Sequence, residues 1–121
     1  MSARRLFALA CLAVLAMTLT ACETQAVRSF RAGRLYVSGT EALDRGEVGS
    51  AIEQLEAAVA LVPAASEVHN HLGLAYWSAG NRERARAEFE TAIELDCDNE
   101  AARTNLENLD LTESRMRDLD G

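Results

Sequence analysis

The chain has 121 residues, 12 Arg against 19 acidic residues, no Lys and a formal net charge of −7. That length holds one domain, and that charge argues against a nucleic-acid binder, whose affinity comes mainly from basic contacts to phosphate. Ala, Leu, Glu and Arg dominate, Pro occurs once, and β-branched residues are too scattered for strands, so the expected fold is all-α.

The first segment reads as an address rather than as fold. Ser2-Ala3-Arg4-Arg5 is positively charged, and residues 6–19 form an apolar run of 14 residues. That is short of the ~20 residues a membrane-spanning helix needs but suits the core of an export signal. The run ends in Leu19-Thr20-Ala21-Cys22, small residues followed by a thiol. It resembles the bacterial lipobox, in which a signal peptidase cuts before the Cys and the thiol is then acylated. The resemblance implies a signal peptide over 1–21, a lipid anchor at Cys22 and a short tether over 22–27. Glu23, where an Asp would signal inner-membrane retention, leans toward the outer membrane facing the periplasm. Cleavage would leave 10 Arg against 19 acidic residues, a charge of −9. Four extended residues, 23–26, reach only ~13–14 Å, so the module should sit against the bilayer. Arg28, Arg31 and Arg34 recur every three residues; three charges make a small patch, and a solvated helix face is the expectation.

Five helices follow from the apolar spacing. The first, over 27–45, carries Gly33 and Gly39, which weaken it. The second, over 48–62, has the stripe Ala51, Leu55, Ala58 and Val62, widened by Ile52 and Val59, and Pro63 stops it. Ser66 is expected to cap the third, in which Leu72, Ala75, Tyr76 and Ala79 share a face. Gly80 can turn the chain with φ > 0, and Asn81 can cap the fourth, where Ala85, Phe89 and Ala92 share a face. Asp98 or Asn99 can cap a last helix over 100–111 or beyond, carrying Leu106 and Leu109. The charged tail, 112–121, is expected to fray.

The hairpin pattern occurs twice, 34 residues apart. Gly39, Gly46, Ala51, Leu55, Ala58 and Leu61 match Gly73, Gly80, Ala85, Phe89, Ala92 and Leu95 in register, the signature of a helical repeat array. The chain resembles the tetratricopeptide repeat family, through Leu72-Gly73, Tyr76, Gly80, Ala85, Phe89 and Ala92 in the second copy. The first copy offers Gly39, Gly46, Ala51, Leu55, Ala58 and Pro63. It departs from the family at Leu35 and Ala42, and the second copy departs at His69 and Cys97. The resemblance implies a domain over 28–111: repeats at about 32–65 and 66–99, then a capping helix at about 100–111, together a short right-handed α-solenoid. About three repeats are usually needed for stability. The first and last helices are therefore expected to supply missing contacts, with a homo-oligomer as the other route.

No arrangement of residues suggests catalysis, a cofactor or a metal, and the chain is not expected to be an enzyme. His69 and His71, two apart on a helix, point to different sides. Cys97 is expected to be a small buried residue at a helix end rather than a free or bridged thiol. The resemblance implies instead a concave groove for a protein or peptide partner. By position, Tyr36, Thr40, Leu43, Asn70, Leu74, Trp77, Thr104 and Asn108 would face it. Trp77 stands out as a large amphipathic ring one position round the helix from Tyr76; the other reading is that it covers the joint between hairpins. The implied function is a lipid-anchored interaction module of the bacterial cell envelope, a scaffold or assembly factor for a pilus or secretion machine. A self-associating structural protein and an adaptor for cell-wall enzymes are the alternatives.

Overall fold

The computed structural model describes residues 3–120, with side chains placed except at 18–23 and 120. These residues form five α-helices: α1 Ala3–Asp44, α2 Val48–Leu61, α3 Ser66–Ser78, α4 Arg82–Leu95 and α5 Glu100–Asp120. Helices α1 and α2 make one antiparallel hairpin, α3 and α4 the next, and α5 lies on α4.

The two hairpins turn identically. Gly46 and Gly80 sit at φ +76° and +79°, a left-handed conformation that residues with a Cβ rarely adopt. Gly46 and Glu47 donate backbone N–H bonds to Leu43 and Ala42; Gly80 and Asn81 donate to Trp77 and Tyr76, all at 2.9 Å. This pattern satisfies carbonyls that a helix end otherwise leaves unpaired. Asn81 caps α4 as expected, its Oδ1 accepting from the Arg84 N–H at 3.1 Å.

Glycine also sets the depth of packing. A Cβ at Gly39 would lie 2.7 Å from Leu55 Cγ, and one at Gly73 would lie 2.5 Å from Phe89 Cε1. Each hairpin thus seats a large side chain of its second helix against bare backbone of its first. Around these contacts Ala51, Leu55, Ala58, Leu72, Ala75, Tyr76, Ala85 and Phe89 form one core, joined by Ala42 from α1 and Leu109 from α5. The flanking helices do supply the contacts that two repeats alone would lack.

Three expectations are corrected. Ser66 does not cap α3: Ala65 holds the cap position without a side-chain bond, and Ser66 is the first helical residue. Its Oγ instead donates to the Ala92 carbonyl at 2.7 Å and accepts from Asn99 Nδ2 at 2.7 Å. Asn99 Oδ1 in turn accepts from the Ala102 N–H at 3.0 Å, so Asn99 rather than Asp98 caps α5. Second, the tail is helical as far as Asp120. Helix α5 continues to Asp120 because α4 holds it: Arg86 Nη2 donates to Asp110 Oδ1 at 2.5 Å and to Glu113 Oε2 at 3.0 Å, and Arg82 Nη2 lies 3.3 Å from Met116 Sδ. Third, Cys97 is exposed, not buried.

Helix α1 runs through the stretch expected to be a tether, so residues 23–26 advance about 6 Å along its axis at ~1.5 Å each. Every residue from Ala3 to Met17 is exposed, and the core begins at Ala32. Among the described side chains every buried one lies at Ala32 or beyond, so residues 24–121 keep the whole described core. Among the described residues no helix is long and apolar enough to cross a membrane. The Cys22 side chain, the expected lipidation site, lies outside the described side chains.

Candidate functional site

The first helices of successive pairs, α1, α3 and α5, touch each other through two polar contacts one repeat apart. Between α1 and α3, the Tyr36 hydroxyl donates to Glu67 Oε1 at 3.3 Å and lies 3.2 Å from His71 Nδ1. The Tyr36 and His71 rings meet edge to face at 5.1 Å. Burial, and then the Glu67 carboxylate beside it, push the Tyr36 phenol up to about 12, because both disfavour a phenolate. Between α3 and α5, Asn105 Nδ2 donates to Asn70 Oδ1 at 2.9 Å. Positions 36 and 71 pair as 70 and 105 do, so the 34-residue period carries the joint as well as the hairpin.

These joints reassign some of the expected groove residues. Asn70 is 2% exposed and committed to Asn105, so it fastens α5 instead of meeting a partner. Thr40 is half-buried and donates its hydroxyl to the Val37 carbonyl at 2.9 Å. Leu43 and Leu74 are partly buried against the core. Trp77 packs edge to face on Phe89 of its own hairpin, ring centroids 6.3 Å apart at 83°, rather than across the joint to the first hairpin, and its ring is only partly buried. Thr104 and Asn108 are exposed on α5.

A cleft of about 280 Å³ opens beside Tyr36, where α1 meets the start of α3; Ser29, Gly33, Val62, Ala65, Glu67 and Val68 line it. Its volume lies just below the range of about 300–1,000 Å³ typical of small-molecule pockets, and most of its lining is apolar. Only Tyr36 among its lining was expected at the site. Val62 read as part of the core stripe of α2, and Ala65 and Val68 carried no signal for a site, being apolar residues around a helix connection.

The histidines diverge in space as their spacing implied. His69 is buried, with Nδ1 2.7 Å from Glu88 Oε2 and Nε2 2.9 Å from the Pro63 carbonyl. It links α3 to α4 and to the loop before α3, whereas His71 faces α1. Among the described residues no three His, Cys, Asp or Glu side chains could hold a metal ion together.

The tetratricopeptide repeat family model matches residues 36–108, more than half of the chain. The chain belongs to the tetratricopeptide repeat family. Among solved structures, the Arabidopsis OM64 TPR domain superposes with a TM-score of 0.70 at 14% identity, covering 74% of each chain. At that identity the likeness is one of fold. No curated protein matches the chain in sequence. TPR domains generally mediate protein–protein interaction, and the all-α solenoid of two hairpins and a closing helix is the family's architecture.

Proposed function

We propose that this TPR protein is a membrane-anchored interaction module of the bacterial cell envelope, acylated at Cys22 and set at the outer membrane facing the periplasm. Its role in this reading is to hold an extended segment of an envelope protein during assembly of a pilus, secretion complex or similar machine. The observation that supports a partner is the open, largely apolar cleft beside Tyr36, together with the only partly buried Leu74 and Trp77 on α3. Glu67 at the cleft edge favours a partner segment with a basic or hydrogen-bond-donating group next to the inserted residue. The lipobox-like Leu19-Thr20-Ala21-Cys22 supports the anchor.

Crosslinking and pull-down from envelopes tests the groove. Trp77→Ala or Tyr36→Ala should lose the partner that the native chain captures, and an identical capture profile would refute the groove. Cys22→Ser tests the anchor separately: the variant should be released from membranes or remain unprocessed, and unchanged acylation and fractionation would overturn that assignment.

Continued stacking of copies into a longer solenoid has less support. Arg34, Ser38 and Glu41 stand on α1 where α3 has Val68, Leu72 and Ala75, and on α5 Glu107 stands where α3 has the close-packed Gly73. Charge and bulk replace the surfaces that another hairpin would need. Sedimentation of residues 24–121 should show a monomer at micromolar concentration.

A further inference from the structure

The face of α1 directed away from the core carries a feature that the groove does not use. Val27, Phe30 and Val37 are 66%, 71% and 53% exposed, and their spacing of three and seven places them on one side of the helix. Arg34 lies between them and Arg31 at their edge. Two open depressions flank Phe30 and Arg34: one of about 320 Å³ reaching Leu35 and Gln54, one of about 550 Å³ reaching Gly33, Val37 and Glu41.

Charge singles out this face. Residues 24–40 contain three Arg and no acid, Glu41 is the one acid at the far end of the face, and residues 42–121 contain 17 acids and 7 Arg. Arg45, Arg84 and Arg86 pair with carboxylates elsewhere in the fold. Arg28 turns inward, its Nη2 donating to the Leu61 carbonyl at 3.2 Å. Arg31 and Arg34 form no ion pair among the described residues. They remain as two outward cations beside three exposed apolar side chains, on the helix that bounds the array.

We propose that this α1 face, Val27, Phe30, Arg31, Arg34 and Val37, seats on an anionic lipid surface. The chemistry matches an interfacial helix, whose apolar side enters the headgroup boundary while basic side chains meet lipid phosphates. Position agrees as well. Phe30 and Val37 lie about 12 and 22 Å along α1 from Cys22 at ~1.5 Å per residue, so an anchor there keeps both within reach of the bilayer. The acidic remainder is repelled by the same surface, and the two effects together favour one orientation: the Phe30–Arg34 face of α1 against the lipid and α2 to α5 away from it. The sequence alone favoured a solvated arginine face; exposure of Phe30 and Val37 beside Arg31 and Arg34 reverses that. The biological setting rests on the anchored reading above, but the surface can be tested without it.

Residues 24–121, lacking Cys22, should be incubated with vesicles of phosphatidylcholine alone or with about 30% phosphatidylglycerol, and bound protein measured by sedimentation. Binding to the anionic vesicles should exceed binding to the neutral ones and fall in high salt. It should drop roughly fivefold for each arginine neutralised and further for R31E/R34E. Phe30→Ser should weaken it severalfold with an unchanged far-UV circular dichroism spectrum; Phe30 is too exposed for its loss to unfold the protein. No retention, equal retention by neutral vesicles, or binding indifferent to both variants would overturn the proposal. A dimer in sedimentation that the same substitutions dissolve, without vesicle binding, would assign the face to a second copy instead. Because the chain is unacylated, a negative result here leaves the Cys22 anchor and its own test untouched.

Discussion

The two hairpins share a turn, a period and a glycine-to-large contact, yet they are fastened differently. The first, α1 with α2, is closed by Gly39 against the flexible Leu55 and has Leu35 and Ala42 at the positions of His69 and Tyr76. The second, α3 with α4, is closed by Gly73 against the rigid Phe89 ring and laced by polar bridges. The Tyr76 hydroxyl donates to Glu56 and accepts from Arg84 at 3.2 Å, His69 reaches Glu88 and Pro63, and Ser66 reaches Ala92 and Asn99. Its neighbours explain the difference. Helices α3 and α4 are flanked by α2 and α5, which bury their polar groups and oblige them to find partners. Helix α1 has one side open. A repeat in the middle of a short array is thus specified by directional contacts, and one at its edge by apolar packing with a face left over for something else.

The sharpest way to break that comparison is Phe89→Ala. Its ring is fully buried, and losing it should destabilise the module by about 3–5 kcal/mol in urea denaturation; a loss under ~1 kcal/mol would remove the second hairpin as the centre of the fold. A smaller effect separates the hairpins directly. Gly73→Ala should cost ~1–3 kcal/mol through overpacking, and Gly39→Ala somewhat less, since its Cβ would meet Leu55 Cγ at 2.7 Å where that of Gly73 would meet the rigid Phe89 ring at 2.5 Å. Equal melting curves would mean that the ring has room to move. Asn99→Ala cuts the latch to Ser66 and the α5 cap together and should cost about 1 kcal/mol; hydrogen exchange should show the loss concentrated at the start of α5 and sparing α1 and α2. The smallest effect concerns Tyr36. A raised folded-state pKa means the contribution is fully present below the unfolded value of ~10 and lost as pH rises through about 12. Burial and the Glu56 hydrogen bond also raise the Tyr76 phenol, so the whole ultraviolet phenolate transition should come late, and Tyr36→Phe should remove the component near 12.

Helix spacing, both glycine turns, the Asn81 cap and the 34-residue period were legible because each depends on residues near one another in the chain. Ser66 misled for the same reason. A serine ahead of an apolar run is a cap by local rules, and only the arrival of α4 and α5 beside it turns its hydroxyl toward Ala92 and Asn99. Asn70 looked like a ligand contact because polar residues on a first helix face the groove by position; its partner Asn105 is 35 residues away. The tail was read as frayed from its charge, but Glu113 and Met116 find Arg86 and Arg82 on α4.

The amino-acid sequence by itself settled that this is an all-α repeat protein, since helical periodicity, turn glycines and small packing residues act within a few residues of one another. The tertiary structure decided which polar groups are spent on joints and which remain open, because burial and partner distance exist only once α1, α3 and α5 stand side by side. The cleft beside Tyr36 and the exposed Phe30–Arg34 face both belong to that second class.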